Sequence, residues 1–327
     1  MKFVKGGNVS RLLEGISIPK MFHAKQEFDD AKITPEDIPA VVYRELSKPG
    51  IGETIKPGMS IAVTAGSRGV ANVNVITRAI VDFCKEKGAH PFIVPAMGSH
   101  GGALAEGQKE LLAGYDITEE SMGCPIKSSM ETVLLGYSQY GKPVYQDKYA
   151  YEADGIIISC RIKPHNAFRG PYESGVCKMM VGGLGKQTGA ERVHSDGLGN
   201  MARNLPANAR VVLERSSILF AIPCVENAYD ETSIIEAIPR EAIMDREPEL
   251  LKTAFSNMPG ILVGEADVLI EKLQRYRSGP KYFRDLVNGV WQGRSKGKTD
   301  LFPGPDRLLP RQCQWNGIGG HHYRQAL

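Results

Sequence analysis

The chain has 327 residues, 42% of them hydrophobic and 24% charged, which allows two domains of ordinary size and argues against general disorder. Its formal net charge of +3 gives no argument for a nucleic-acid partner, and no apolar run approaches the ~18–20 residues that span a bilayer. The N-terminal stretch has no continuous apolar segment of signal-peptide type, and the six cysteines form no C-x-x-C pair. A cytoplasmic location is therefore expected, and a zinc or iron–sulfur site is not.

Residues 59–64 (MSIAVT) read as a short buried strand ending in the turn-forming AGSRG of 65–69. Residues 73–87 carry apolar side chains at Val73, Ile76, Ala79, Ile80 and Phe83, which is helical spacing, and Gly88 supplies the stop. Residues 91–95 (PFIVP) form the next strand, completing a strand–helix–strand unit and implying a parallel sheet. A Gly-rich turn, Gly98-Ser99-His100-Gly101-Gly102, leads into a helix over 104–113. Residues 133–137 and 143–146 flank Gly141-Lys142 as a hairpin, and 155–160 (GIIISC) form a strand buried on both faces. Helices are expected over 174–184, 190–205 and 240–257, with strands within 210–225 and over 266–270. The fold class is α/β.

Beyond residue 272 the pattern fails. Residues 273–327 hold ten Lys or Arg, three Asp and no Glu, leaving 30 basic and 34 acidic residues before them. Both tryptophans, Trp291 and Trp315, also fall there. Two readings stay open: a shifted reading frame near Lys272, or a genuine basic extension.

In α/β sheets, ligands bind beyond the carboxyl ends of the strands. Three loops leave strands in that position, and each carries a polar residue suited to chemistry: Arg68, His100 and His165. A further histidine, His194, follows the Gly-rich stretch of 163–195 that also contains Lys178. Imidazole exchanges protons near neutrality or ligates a metal when neutral, and flanking glycine lets backbone approach a ligand closely. The common phosphate motifs fail. Gln187 follows Gly185-Lys186 where a Walker A motif needs Ser or Thr, and His100 stands where a dinucleotide fingerprint needs its second glycine.

A Gly-x-His-Gly loop, a Lys-Pro-His at 163–165, a Gly-x-x-Lys ending at Lys178 and a histidine sixteen residues after that lysine occur in this order. Together they resemble the lactate racemase family across most of 59–225. The resemblance implies two α/β domains with the active site in the cleft between them, here divided as 1–95 and 96–272, with 273–327 as an atypical tail. It also implies a nickel-pincer nucleotide, a pyridinium mononucleotide carrying Ni. Lys178 matches the lysine that tethers this cofactor through a thioamide, and His194 the histidine that ligates nickel. His100 and His165 match the two acid–base histidines, and Arg68 the arginine that holds the substrate carboxylate. Lys186 and Arg192 are candidates for the cofactor phosphate, against the commoner reading as exposed helix cations.

The implied activity is racemisation or epimerisation of a small 2-hydroxy acid, lactate-like or a sugar acid, with no nucleic-acid or membrane partner; the sequence does not fix the oligomeric state, and a homodimer is one candidate. Two departures stand out. The family commonly has Asp three residues before the substrate arginine, where this chain has Ala65. The family's further substrate contacts, a lysine included, have no counterpart pattern after Lys272. They motivate a second expectation, a relative that binds cofactor or ligand without turnover. A third is a metal-dependent lyase or oxidoreductase reusing the same histidines. Arg169 and Tyr172 share the His165 loop as minor ligand candidates. The adjacent His321 and His322 in the patternless tail are weak candidates for a metal pair.

Overall fold

The computed structural model describes residues 25–260, together with Gly15 and Leu262. Strand β1 (Ser60–Ala65) is buried in all but its first residue and pairs parallel with β2 (His90–Pro95) on one side. On its other side it pairs parallel with β5 (Gly155–Arg161), which in turn pairs parallel with β6 (Ile218–Glu226). Two short strands, β7 (Thr232–Ile235) and β8 (Ile238–Pro239), pair antiparallel with β6. The sheet order is β2-β1-β5-β6-β7, and β3 (Thr132–Tyr137) and β4 (Pro143–Asp147) form a separate hairpin. The expected α/β class and parallel sheet are what the chain forms.

Alternation along the strands sorts side chains to two faces. Ile61, Val63, Ile93, Ile157 and Phe220 join one core with α1 (Ile38–Leu46) and α2 (Val73–Glu86). Ala62, Val94, Ile156, Ile158 and Ala221 join the other, which includes Leu205 and Val212 of α8 (Met201–Arg215) and Leu250 of α9 (Ile243–Ser256). Between them in sequence lie α3 (Ala105–Ala113), α4 (Glu119–Met122), α5 (Lys148–Tyr151), α6 (Val176–Lys178) and α7 (Lys186–His194).

Three expectations change. The helix expected over 174–184 is one short α-turn, α6, followed by a π-turn over Met179–Gly183. The helix expected over 190–205 breaks after His194, where Gly197 adopts φ of 79°, and restarts at Met201. Residues 210–215 belong to α8, not to a strand, because Leu205, Ala209 and Val212 bury one helical face. The sheet also runs across the expected domain division at 95/96, since β1 hydrogen-bonds to both β2 and β5. The strand expected over 266–270, the tail over 273–327 and His321-His322 lie outside the described residues. Among the described residues, no helix is long and apolar enough to cross a membrane.

Candidate active site

The loops after β1, β2 and β5 all emerge at the carboxyl edge of the parallel sheet. The first carries exposed Arg68. It passes close over the π-turn, so that a Cβ on Gly66 would sit 3.1 Å from Met179 Cε. Tyr115 donates to the Ser67 carbonyl at 2.9 Å, and the Ser67 hydroxyl hydrogen-bonds His100 Nδ1. At its far end the Ala71 N–H donates to Glu226 Oε1 at 2.8 Å, while Glu226 forms a buried ion pair with Arg161 at the end of β5. At Ala65, where the family commonly has an acid, a methyl group lies buried within β1.

The second loop holds His100. Gly98 takes a left-handed φ of 59°, and a Cβ there would meet Gly182 O at 3.0 Å and Ala190 Cβ at 3.3 Å. Glycine therefore lets this loop lie directly on the π-turn, and the Gly98 N–H donates to Gly183 O at 3.2 Å. His100 keeps an open rim, yet desolvation, with the Arg68 and Lys178 cations, lowers its imidazole to about 4. It is neutral at physiological pH and able to accept a proton. With Nδ1 engaged by Ser67, Nε2 is the atom left to face a ligand.

Lys178 ends α6, and the π-turn that follows adds a residue to the helical turn, a device frequent at functional sites. Burial, then the Arg68 and Lys163 cations, lower its ammonium to about 8. A substantial neutral-amine fraction follows, which is the form that acylation requires. The segment is anchored from below: Glu247 of α9 accepts from the Cys177 N–H at 2.8 Å. Glu247 is buried and its carboxyl is pushed up to about 7 by desolvation. A Cβ on Gly175 would fall 2.2 Å from Glu247 Oε1, so any larger residue here would displace that carboxyl. His194 ends α7, with its imidazole lowered by burial and then by the Lys178 cation, which keeps a lone pair free for a metal.

Arg68, His100, Lys178 and His194 thus form one electrostatic neighbourhood, with Lys163 at its edge. His165 stands on the adjacent loop, two residues beyond Lys163. Its ring packs on Phe168 with centroids 4.4 Å apart, and its Nδ1 accepts from the Ala167 N–H at 3.1 Å. Buried Glu173 accepts from the His165 N–H at 2.5 Å and the Gly170 N–H at 3.1 Å, holding the loop's shape. Tyr172 instead donates to Met244 O at 2.7 Å, and Arg169 reaches the His165 and Phe168 carbonyls.

Lys186 departs from both readings of the sequence. It is neither an exposed helix cation nor open to a phosphate, because its side chain is 0% exposed. Its ammonium donates to Pro95 O at 2.6 Å and Gln108 Oε1 at 3.0 Å, and pairs with Asp147 Oδ2 at 3.1 Å. Two hydrogen-bond acceptors and one carboxylate oppose the burial that lowers its ammonium. Arg192, by contrast, is exposed on α7. Sequence reasoning missed Ser67, Gln108, Glu173 and Glu247. Only Glu173 carried a local signal, as the lone acid of the polar, turn-rich loop over 161–175. A cleft of about 570 Å³, lined by residues that include Lys32, Asp37 and Arg44, lies apart from all of these groups.

A parallel α/β sheet with a neutral histidine, a lowered lysine and an arginine at its strand ends has the architecture of a ligand-binding α/β protein. The family model for the lactate racemase N-terminal domain matches residues 20–203, and this chain belongs to that family. It is similar in structure to the lactate racemase apoprotein from Thermoanaerobacterium thermosaccharolyticum, with a TM-score of 0.51 and 16% identity. That likeness covers 67% of this chain and 55% of the other, so the chain spans little more than half the length of that relative. No curated protein matches the sequence.

The donor set suits the nickel-pincer nucleotide that the family implies. Among the described residues no group of three His, Cys, Asp or Glu stands ready to hold a metal. His194 offers an imidazole lowered by burial and by the Lys178 cation, and a neutral imidazole is a metal ligand. Lys178 offers the amine, and a Cβ built on Gly182 of the π-turn between them would meet nothing within 4 Å beyond the turn itself.

Proposed function

We propose that this chain is a racemase or epimerase of small 2-hydroxy acids, an isomerase of the lactate racemase type, acting with a nickel-pincer nucleotide. The observation that carries the reading is the shared electrostatic neighbourhood of Arg68, His100, Lys178 and His194 at the carboxyl edge of the sheet. Lys178 would tether the cofactor and His194 would hold its nickel. When bound, the cofactor supplies a reversible hydride acceptor. Arg68 would hold the substrate carboxylate with its planar guanidinium. His100, neutral and hydrogen-bonded at Nδ1, would take the hydroxyl proton at Nε2. His165 would serve the opposite face, since inversion at one carbon requires a base on each side. Such acid–base assistance is typically worth about 10²–10⁴-fold. The reaction fits a cytoplasmic protein with small-molecule partners. The second α/β domain and the cleft that closes over substrate are part of the same proposal.

A second reading has its own support. At position 65, where the family commonly has an acid, this chain buries the methyl group of Ala65. A chain that holds cofactor without inverting any 2-hydroxy acid is consistent with that departure.

The first test is the intact mass and nickel content of protein co-expressed with the pincer biosynthetic enzymes. A nucleotide-sized covalent adduct, lost in Lys178→Ala, with nickel lost in His194→Ala, is the expected result. No adduct and no nickel in the unaltered chain would overturn the cofactor assignment. An adduct without inversion of lactate or of larger 2-hydroxy acids would select the second reading.

A further inference from the structure

The polar cluster around Lys186 lies wholly beneath the site and joins its two sides. Gln108 of α3 is 0% exposed, and its Nε2 donates to Gly98 O at 2.9 Å and to His100 O at 3.1 Å. Its Oε1 accepts from Lys186, the first residue of α7, the helix that ends in His194. We propose that Gln108 and Lys186 are positioning residues that fix the backbone carrying His100 against the helix carrying His194.

The logic is one of donors and acceptors. An ammonium can only donate, so it meets Gln108 through the amide oxygen. That choice turns the NH₂ group toward the His100 loop, whose two carbonyls can only accept. Lys186 therefore sets the orientation of Gln108, and Gln108 sets the loop. The lysine is itself held in place. Asp147 pairs with it, Pro95 O accepts from it at the end of β2, and its backbone adopts a left-handed φ of 53°. Asp147 also accepts from the Ala150 N–H at 2.9 Å and donates its own N–H to Leu184 O at 2.6 Å, tying the hairpin to the π-turn. Contact between α3 and the loop is backbone to backbone: a Cβ on Gly107 would fall 2.2 Å from Gly101 O. Neither Gln108 nor Lys186 is exposed to a ligand, so any effect on the site passes through the loop and the helix.

The inference rests on reading His100 as a site residue, but its test needs neither cofactor nor substrate. The histidine titrations of the full chain, followed by NMR, would be compared with those of Gln108→Met, which keeps the volume and removes the amide. Released from Gln108, His100 gains solvent and moves from the Arg68 and Lys178 cations. Its midpoint should rise by about one unit or more toward its ordinary 6.5. Gln108→Glu keeps an acceptor for Lys186 while removing the donors to the loop. It should shift His100 in the same direction, and it carries the test if Gln108→Met does not fold. An unmoved His100 midpoint in a folded variant overturns the proposal, and so does failure of both variants to fold, which would assign the cluster to stability alone.

Discussion

Two histidine loops leave neighbouring regions of the same sheet edge and are anchored in opposite chemical senses. The loop after β2 presents carbonyls downward, and a buried amide, Gln108, donates to them. The loop after β5 presents N–H groups, and a buried carboxylate, Glu173, accepts them. The polarity of the exposed backbone thus dictates which side chain can hold each loop. The consequences differ in charge. The first loop brings no formal charge of its own beneath His100, whose imidazole faces Arg68 and Lys178 and is held low. The second places an acid beneath His165. Two histidine loops of one sheet edge are therefore built on unlike supports.

Removing the acid should have the largest effect. Glu173→Ala removes the carboxylate that accepts from the part-buried His165 and Gly170 N–H groups, and about 3 kcal/mol of stability should be lost in a urea denaturation series. A loss under about 1 kcal/mol would show that solvent reaches this loop and would break the contrast.

The Lys178 segment has its own buried acid, and there the expected effect depends on pH. Glu247 titrates near 7 when folded, against 4.5 for an ordinary glutamate. Between those values the native state holds a proton that the unfolded state has lost, so stability falls as pH rises through this window. The loss amounts to about 3 kcal/mol once pH exceeds 7. Glu247→Gln should flatten the profile and leave the variant more stable than the parent at pH 8. Equal slopes between pH 5 and 8 for both chains would refute the buried-acid account.

The smallest effect sharpens the His100 side. Ser67→Ala removes the partner of His100 Nδ1 near the surface and should cost about 0.5–1 kcal/mol in the same denaturation experiment. A larger loss would mean that the serine, and not Gln108, carries the weight of that loop.

The sequence by itself determined the strands and helices around the first β–α–β unit, because apolar periodicity over 59–95 is a local property. It also supplied the histidine loops and the order of elements that resembles the lactate racemase family, since glycine spacing and His–Lys–His order are written directly in the chain. Arg68, His100, Lys178 and His194, which come from separate segments of the chain, influence one another's charge. Tertiary structure alone decided the fate of Lys186. A lysine after Gly185 at the start of a polar helix looks like a surface cation or a phosphate ligand. Whether it is buried depends on Asp147 and Gln108, 39 and 78 residues earlier in the chain. Glu173 and Glu247 became anchors for the same reason. A buried charge is defined by partners that only the fold assembles, and no local pattern records them.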